Sequence, residues 1–378
     1  MDTFEFYQPT KLVFGPGKLA VVGTLAAAYG KQAMVVCDPF FVTSGLAERV
    51  RGHLREAGLA SVVYGQVISN PTTDSIDAGA ALARREDCDV IIGLGGGSAM
   101  DTAKAVAVAA THPGAIWPYA IGEQAVTAAT LPIIAITTTS GTGSQCTCFS
   151  VITNPQTNQK PGMGSPFILP RVAVIDPELM VSVPPGQSLI TGFDVFCHAV
   201  EAYTSTLAGP ISDLYAERAV TLTVKHLPAV MRNGRDLEAR GGMALADTCA
   251  GIAICNAVVS LGHVMAHVIG GHYHDIPHGD ALYSIYRGVL TFNATVLPEK
   301  QAWLAQQLCP GCTDLVAAYD RFFAPFKFEN RLKAHHPDAA MLDRLAADTF
   351  TYMKGCTELN PRPATVADAR AILQAAIA

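Results

Sequence analysis

The first half of the chain alternates short apolar runs with amphipathic, alanine-rich stretches. Residues 33–38 (AMVVCD) form a continuous β-branched run, followed by a helical pattern over 44–58 (SGLAERVRGHLREAG). The same alternation recurs in SVVYGQV (61–67), SIDAGAALARRE (75–86), DVIIGLGG (89–96), DTAKAVAVAATH (101–112) and LPIIAITTT (131–139). Strands alternating with helices across short turns predict a doubly wound, mostly parallel sheet of the dinucleotide-binding α/β type. RVAVIDPEL (171–179) reads as a last strand leaving this domain. From about Pro184 the period changes to that of helices: 191–206, 211–227, 237–257 and 261–271 all repeat their apolar positions at three and four residues. The pattern predicts two domains, an α/β domain over 1–182 and an all-α domain over 183–378.

Composition narrows the function classes. The 378 residues are 50% hydrophobic and 15% charged, with a net charge of −6. That is a compact globular chain without the basic runs that nucleic acid would require. No uncharged apolar window is long enough for a membrane span, and the start carries acids and no apolar signal core. The ten cysteines, scattered over a long chain, read as reduced thiols of a cytoplasmic protein. Cys309 and Cys312 form a lone CxxC with no second pair to complete a zinc site, and read as an ordinary loop.

Three segments of the first half have cofactor-binding chemistry. Gly95-Gly96-Gly97-Ser98 follows an apolar strand and opens a helix, where free N–H groups and a positive dipole end suit a pyrophosphate. Asp38 ends a strand, where an acid can accept hydrogen bonds from an adenosine ribose and repel a 2′-phosphate, favouring NAD over NADP. The usual fingerprint has the glycines first and the acid later; here the order is reversed. Thr137 to Ser144 (TTTSGTGS), after the strand LPIIAI, is a third candidate.

The helical half holds metal-ligand chemistry. Asp194 and His198 are four residues apart on one helix face, as are His263 and His267, and His278 follows in IPHGD. Acid and imidazole groups in apolar helices are costly unless partnered, and a metal supplies the partner. One acid with three imidazoles suits either Fe²⁺ or Zn²⁺. Beside a nicotinamide, such a metal would polarise a carbonyl or stabilise the alkoxide from which hydride leaves. Val195, Phe196, Val264 and Met265, flanking these residues, lean towards a small, fairly apolar alcohol as substrate.

These residues, with FYQPTKLVFGPG at the start, NPTTDSIDAG (70–79), GGGSAMDTAK (95–104), VAVIDPELM (172–180), TGFDVFCHAVEAYTS (191–205), HVMAHVIGG (263–271), PHGDA (277–281) and NPRPATVADARAIL (360–373), carry a resemblance. The chain resembles the iron-containing (group III) alcohol dehydrogenases over nearly its whole length. The resemblance implies an NAD-linked, metal-dependent enzyme with its active site in a cleft between a dinucleotide-binding and a helical domain, often a homodimer. It implies metal ligands Asp194, His198, His263 and His278, with His267 beside the nicotinamide as a polar neighbour or proton relay. Asp38 would hold the ribose, and Asn70, Gly96, Gly97, Ser98, Asp101, Thr138, Thr139, Thr142, Phe149 and Lys160 would line the cofactor. The chain departs from the family pattern in one extra residue between His267 and His278, in His272 and His274, and in Gln145, Cys146 and Cys148. His274 could compete for the metal, and Phe149, His272 and Tyr273 could shape a different substrate pocket. The rival chemistries on this layout are a dehydroquinate-synthase-like or glycerol-phosphate-dehydrogenase-like enzyme and a non-catalytic metal-holding or filament-forming scaffold. A phosphate-handling site would want several cations near the metal motifs, where Arg287 is the nearest candidate.

Overall fold

The computed structural model describes residues 3–351 and 353–378. The chain divides into two units. One runs from Gln8 to Ser182; the other takes Val183 to the C-terminus together with the segment up to Tyr7. That first segment joins the helical unit through specific contacts: Tyr7 N donates to Asn256 Oδ1 at 2.8 Å, and the Phe6 ring stacks on Tyr215.

The α/β unit is built on a six-stranded sheet. Its strands are β1 (Lys11–Phe14), β2 (Gln32–Cys37), β3 (Ala60–Tyr64), β4 (Val90–Gly95), β5 (Ile133–Thr137) and β8 (Val172–Ile175), in spatial order β1-β8-β5-β4-β2-β3. Every pairing is parallel. A separate antiparallel hairpin pairs β6 (Phe149–Val151) with β7 (Gly162–Gly164). The apolar runs of β2, β4, β5 and β8 are buried on both faces, as a parallel sheet covered by helices requires. Met34, Val36 and Ile91 pack on one side beneath α2 (Thr73–Arg85) and α3 (Gly97–Ala109). Val35, Ile92, Ile134 and Val174 pack on the other beneath α1 (Leu46–Glu56). Helices are numbered here only where they have nine residues or more.

The last strand, at 172–175, lies inside the sheet between β5 and β1, and the unit ends soon after it at Ser182. One detail lay outside the sequence reading. The covering strand β1 is only four residues long and largely exposed, so its alternation is too short to register as a pattern.

The helical unit contains α4 (Pro185–Thr204), α5 (Pro210–Arg232), α6 (Leu237–Ala257), α7 (Leu261–His272), α8 (His278–Asn293), α9 (Pro298–Leu308), α10 (Leu315–Phe323), α11 (Ala339–Thr349) and α12 (Val366–Ile377). Phe193 and Phe196 of α4 meet Tyr286, Tyr319 and Phe323 edge-on or tilted at the centre of its core. No single described helix is long and apolar enough to cross a membrane, and the apolar pair α6 and α7 bends by 101°. Val258, at φ +61°, takes the chain through that bend.

Candidate functional site

The first cluster lies at the carboxyl ends of the parallel strands. From β2 the chain steps outward to β3, then returns to place β4 on the other side of β2 and continues to β5. The order therefore reverses between β2 and β4, and open α/β sheets bind ligands at such a switch point. Asp38 follows β2, and the glycine turn follows β4, one on each side of it.

Helix α3 starts at Gly97 with no side-chain cap, which leaves its first N–H groups for a ligand. The turn packs directly on the loop after β5. A Cβ on Gly97 would stand 2.5 Å from the Thr142 methyl, and one on Gly96 would stand 3.0 Å from Thr139 Oγ1. Thr138 N donates to Gly95 O at 3.1 Å, tying the two loops together. Gly96, Gly97, Ser98, Thr138, Thr139 and Thr142 are thus one cluster.

The other residues assigned to the cofactor take identifiable positions. Asp38 Oδ1 accepts from Phe40 N at 2.7 Å and caps the short helix Pro39–Thr43. Asn70 sits at φ +56°, and its Oδ1 accepts from Lys160 Nζ at 2.7 Å, joining the loop after β3 to the hairpin. Asp101 turns inward. Its carboxylate accepts from Ser144 Oγ at 2.7 Å and Val151 N at 2.9 Å. Burial pushes this carboxyl up, against the opposing pull of Lys104 and these donors. The buried Lys104 ammonium donates to Ser144 Oγ, Thr147 O and Phe149 O, so Asp101 and Lys104 together pin the hairpin that carries Phe149 to α3.

The second cluster lies within the helical unit. Asp194 and His198 come from α4, His263 and His267 from α7, and His278 is the first residue of α8. Asp194 Oδ1 stands 3.3 Å from His263 Nε2 and 3.7 Å from His278 Nε2. These three donors all lie within 4.8 Å of one another. Ligand bonds of about 2.1 Å in a tetrahedral site place neighbouring donors about 3.4 Å apart, so the spacing fits a small divalent cation. His198 stands beside this group: its ring stacks on His263 at 4.3 Å, and its Nδ1 is 3.7 Å from the same Asp194 oxygen. His267 is buried, its ring edge-on to His278 at 5.0 Å. His274 is exposed and stands outside the converging donors, and His272 is engaged by Asp348 at 2.7 Å.

One residue of this cluster escaped the sequence reading. Glu201 is fully buried on α4, and its Oε1 stands 2.8 Å from His263 Nδ1. Its Oε2 accepts from Ser260 N at 2.5 Å, at the bend that opens α7. The carboxylate accepts a hydrogen bond from the Nδ1–H of His263 and leaves Nε2 facing Asp194, which fixes the ring for a cation. Burial pushes the His263 imidazole down, but Glu201 and Asp194 outweigh it and raise it to about 9. Glu201 itself is pushed up by burial and brought below the usual range by His263 and the Ser260 N–H. The signal was present in the sequence: Asp194, His198 and Glu201 are spaced i, i+4, i+7, one continuous helix face.

Two glycines allow the approach. A Cβ on Gly262 would stand 2.5 Å from Glu201 Oε1, and one on Gly279 would collide with the Ile190 carbonyl of α4. Neither could carry a side chain without moving His263 or His278. The apolar neighbours Val195, Phe196, Val264 and Met265, by contrast, are fully buried. Val195, Phe196 and Met265 belong to the helical core, so they give no guide to the substrate.

Residues 9–177 match the family model for iron-containing alcohol dehydrogenase, and residues 188–377 match the C-terminal model of the Fe-containing alcohol dehydrogenase family. The chain belongs to the iron-containing alcohol dehydrogenase family. It is 35% identical to the NAD-dependent methanol dehydrogenase of Bacillus methanolicus over 99% of this chain and 100% of that protein. It is 38% identical to the 1,3-propanediol dehydrogenase of Klebsiella pneumoniae, over 82% of this chain and 81% of that one. Among solved structures it superposes on the archaeal halo-thermophilic Red Sea brine pool alcohol dehydrogenase ADH/D1 with a TM-score of 0.94 and 32% identity, over the full length of both chains. As a family member the chain is an oxidoreductase of the alcohol dehydrogenase kind.

Proposed function

We propose that the protein interconverts small primary alcohols or diols with their aldehydes, using NAD and a divalent metal, ferrous iron or zinc. The observation that carries the reading is the convergence of buried Asp194 and His263 with half-buried His278, and a carboxylate clamped behind His263. Asp194, His198, His263 and His278 are the proposed metal ligands. When bound there, the cation supplies Lewis acidity to the oxygen of the alcohol or carbonyl.

The remaining roles belong to the chain's own side chains and backbone. The amides at the start of α3 hold the pyrophosphate, with Gly96, Gly97 and Ser98 against Thr138, Thr139 and Thr142. Asp38 accepts from the ribose through the oxygen not used in capping and repels a 2′-phosphate. Asn70, held by Lys160, and Phe149, held through Lys104, frame the cofactor, while Asp101 supports it from behind. His267 passes the proton released when alcohol becomes aldehyde towards solvent. The methanol and 1,3-propanediol dehydrogenases among the relatives favour a small alcohol or diol. We further infer a homodimer, as the sequence resemblance implies, and a cytoplasmic location, as the scattered reduced cysteines imply.

The test is anaerobic reconstitution of the purified protein with Fe²⁺ or Zn²⁺ in separate samples, followed by NADH absorbance across primary alcohols, diols and hydroxy acids. Metal-dependent NADH formation, lost in His263→Ala, is the expected result. Binding of NAD and metal with no turnover of any alcohol overturns the reading in favour of transient-NAD chemistry or a scaffold.

A further inference from the structure

The turn between α9 and α10, far in sequence from both clusters, has chemistry that the alcohol reaction does not use. Cys309 caps the C-terminus of α9, and Cys309-Pro310-Gly311-Cys312 closes on itself, with Cys312 N donating to Cys309 O at 2.9 Å. Proline second and glycine third, the latter at φ +87°, is the pattern of a type II turn. Gln306 Oε1 accepts from Gly311 N at 3.0 Å and holds the turn against α9. Such a turn keeps its first and fourth Cα atoms within about 7 Å, a separation that overlaps the range of a disulfide.

Arg321, on α10, reaches back to this turn. Its Nη1 lies 3.8 Å from Cys309 Sγ and 3.5 Å from Cys312 Sγ. Arg51, Arg287, Arg331 and Arg370 each pair with a carboxylate, whereas no carboxylate lies within ion-pair distance of Arg321 among the described residues. A guanidinium facing two sulfurs favours a thiolate. The dipole at the C-terminus of α9 works against one, so Arg321 carries the effect. The hydrogen bond from Cys312 and the guanidinium hold the Cys309 thiol below its ordinary value, while Cys312, as donor, is raised. Burial pushes Cys37, Cys88, Cys249 and Cys356 the other way, up to about 11.

Cys309 and Arg321 line a groove of about 870 Å³. Leu189, Met231 and Phe326 form its apolar side, and Arg232 and Lys327 add two further cations. The groove therefore suits an anionic ligand of small-molecule size.

We propose that Cys309 and Cys312 form a redox-active dithiol whose substrate is an anionic low-molecular-weight disulfide bound in this groove. The Cys309 thiolate attacks one sulfur of the ligand. The ligand's S–S bond breaks, a Cys309 mixed disulfide forms, and the first thiol leaves as thiolate and takes up a proton. Cys312 then loses its proton and attacks Cys309 Sγ, forming the Cys309–Cys312 disulfide and releasing the second thiol. The dithiol gives up two electrons and two protons, and the ligand becomes two thiols.

The experiment uses fully reduced, metal-loaded protein, equilibrated anaerobically with mixtures of reduced and oxidised glutathione, quenched in acid and mapped by differential alkylation and mass spectrometry. The expected result is loss of two alkylation sites confined to Cys309 and Cys312, under conditions that leave Cys148, Cys255 and Cys356 reduced. Cys312→Ser should trap glutathione on Cys309. Arg321→Leu should slow iodoacetamide labelling of Cys309 at pH 7 several-fold, because the guanidinium that favours the thiolate is gone, and Arg321→Lys should restore part of it. Oxidised glutathione should react faster than the uncharged disulfide of mercaptoethanol. Labelling of wild-type Cys309 no faster than Cys356, or oxidation spread evenly over the half-buried thiols, overturns the proposal. Equal rates with the two disulfides overturn the anionic substrate class.

Discussion

The two clusters are built from opposite materials. The cofactor side uses backbone and small side chains at the ends of β4 and β5, where the working groups are amides and the constraint is space. The metal side uses titratable side chains on α4, α7 and α8, those of α4 and α7 buried, where the constraint is electrostatic balance: two acids against the imidazoles they surround. On the cofactor side an extra atom does the damage; on the metal side a missing charge does.

The largest effect should come from removing a donor. His263→Ala deletes one of the three converging atoms and also strands Glu201 without its imidazole. Metal affinity should fall by well over the ~100-fold that loss of an outer partner costs, and NADH formation should vanish. NAD affinity, read by fluorescence titration, should stay at the wild-type value. A variant that still retained metal through gel filtration would mean that the three donors are not the site.

Glu201→Gln sharpens the same side. The amide keeps the volume, but it can present N–H as well as oxygen to His263, so the tautomer is no longer imposed. Metal affinity should drop about 10- to 100-fold. Calorimetry in buffers of different ionisation enthalpy adds an independent readout. His263 is raised to about 9 in the metal-free protein, so at pH 7 it carries a proton that must leave when a cation binds. Wild-type protein should release protons on uptake and bind more tightly as pH rises towards 9, and Glu201→Gln should release fewer. Equal proton release would detach Glu201 from the site.

Gly97→Ala tests the steric side. Its Cβ would stand 2.5 Å from the Thr142 methyl, and overpacking of this kind costs about 1–3 kcal/mol. The threonine can rotate, which places the effect at the low end, about tenfold in the NAD dissociation constant. Metal content should be untouched. Loss of metal with intact NAD binding would invert the comparison.

How much of this was readable in the sequence follows from the same contrast. The parallel sheet, the glycine turn, the Asp194/His198 pair on α4 and the His263/His267 pair on α7 are local patterns of period two, or three and four, and each is visible within one segment. What the sequence hid is the result of distant pairing. Strand β1 gains its role only by lying against β8, more than 150 residues on. The inward turn of Asp101 depends on Ser144 and Val151, and the second contact of the CPGC turn comes from another helix. Glu201 is the intermediate case: its spacing was legible, but its partner His263 lies 62 residues away. The apolar residues beside the ligands misled because a helix buried all round carries core and site on different faces.

The smallest effect concerns Asp38, where both kinds of constraint meet in one side chain. One oxygen caps the helix Pro39–Thr43 through Phe40 N, and the other makes no hydrogen bond within the described residues. If that second oxygen serves the ribose, charge and capping are separable. Asn caps a helix about as well as Asp, whereas Ala loses about 1 kcal/mol. Asp38→Asn should therefore keep the melting temperature while raising kcat/KM with NADP relative to NAD, because the repulsion of a 2′-phosphate is gone and the fold is not disturbed. Asp38→Ala should show the same cofactor shift with a lower melting temperature. A drop in stability with no change in cofactor preference would leave Asp38 with its capping role alone, and the discrimination between the two dinucleotides would then have to come from the loop after β3 that Lys160 holds.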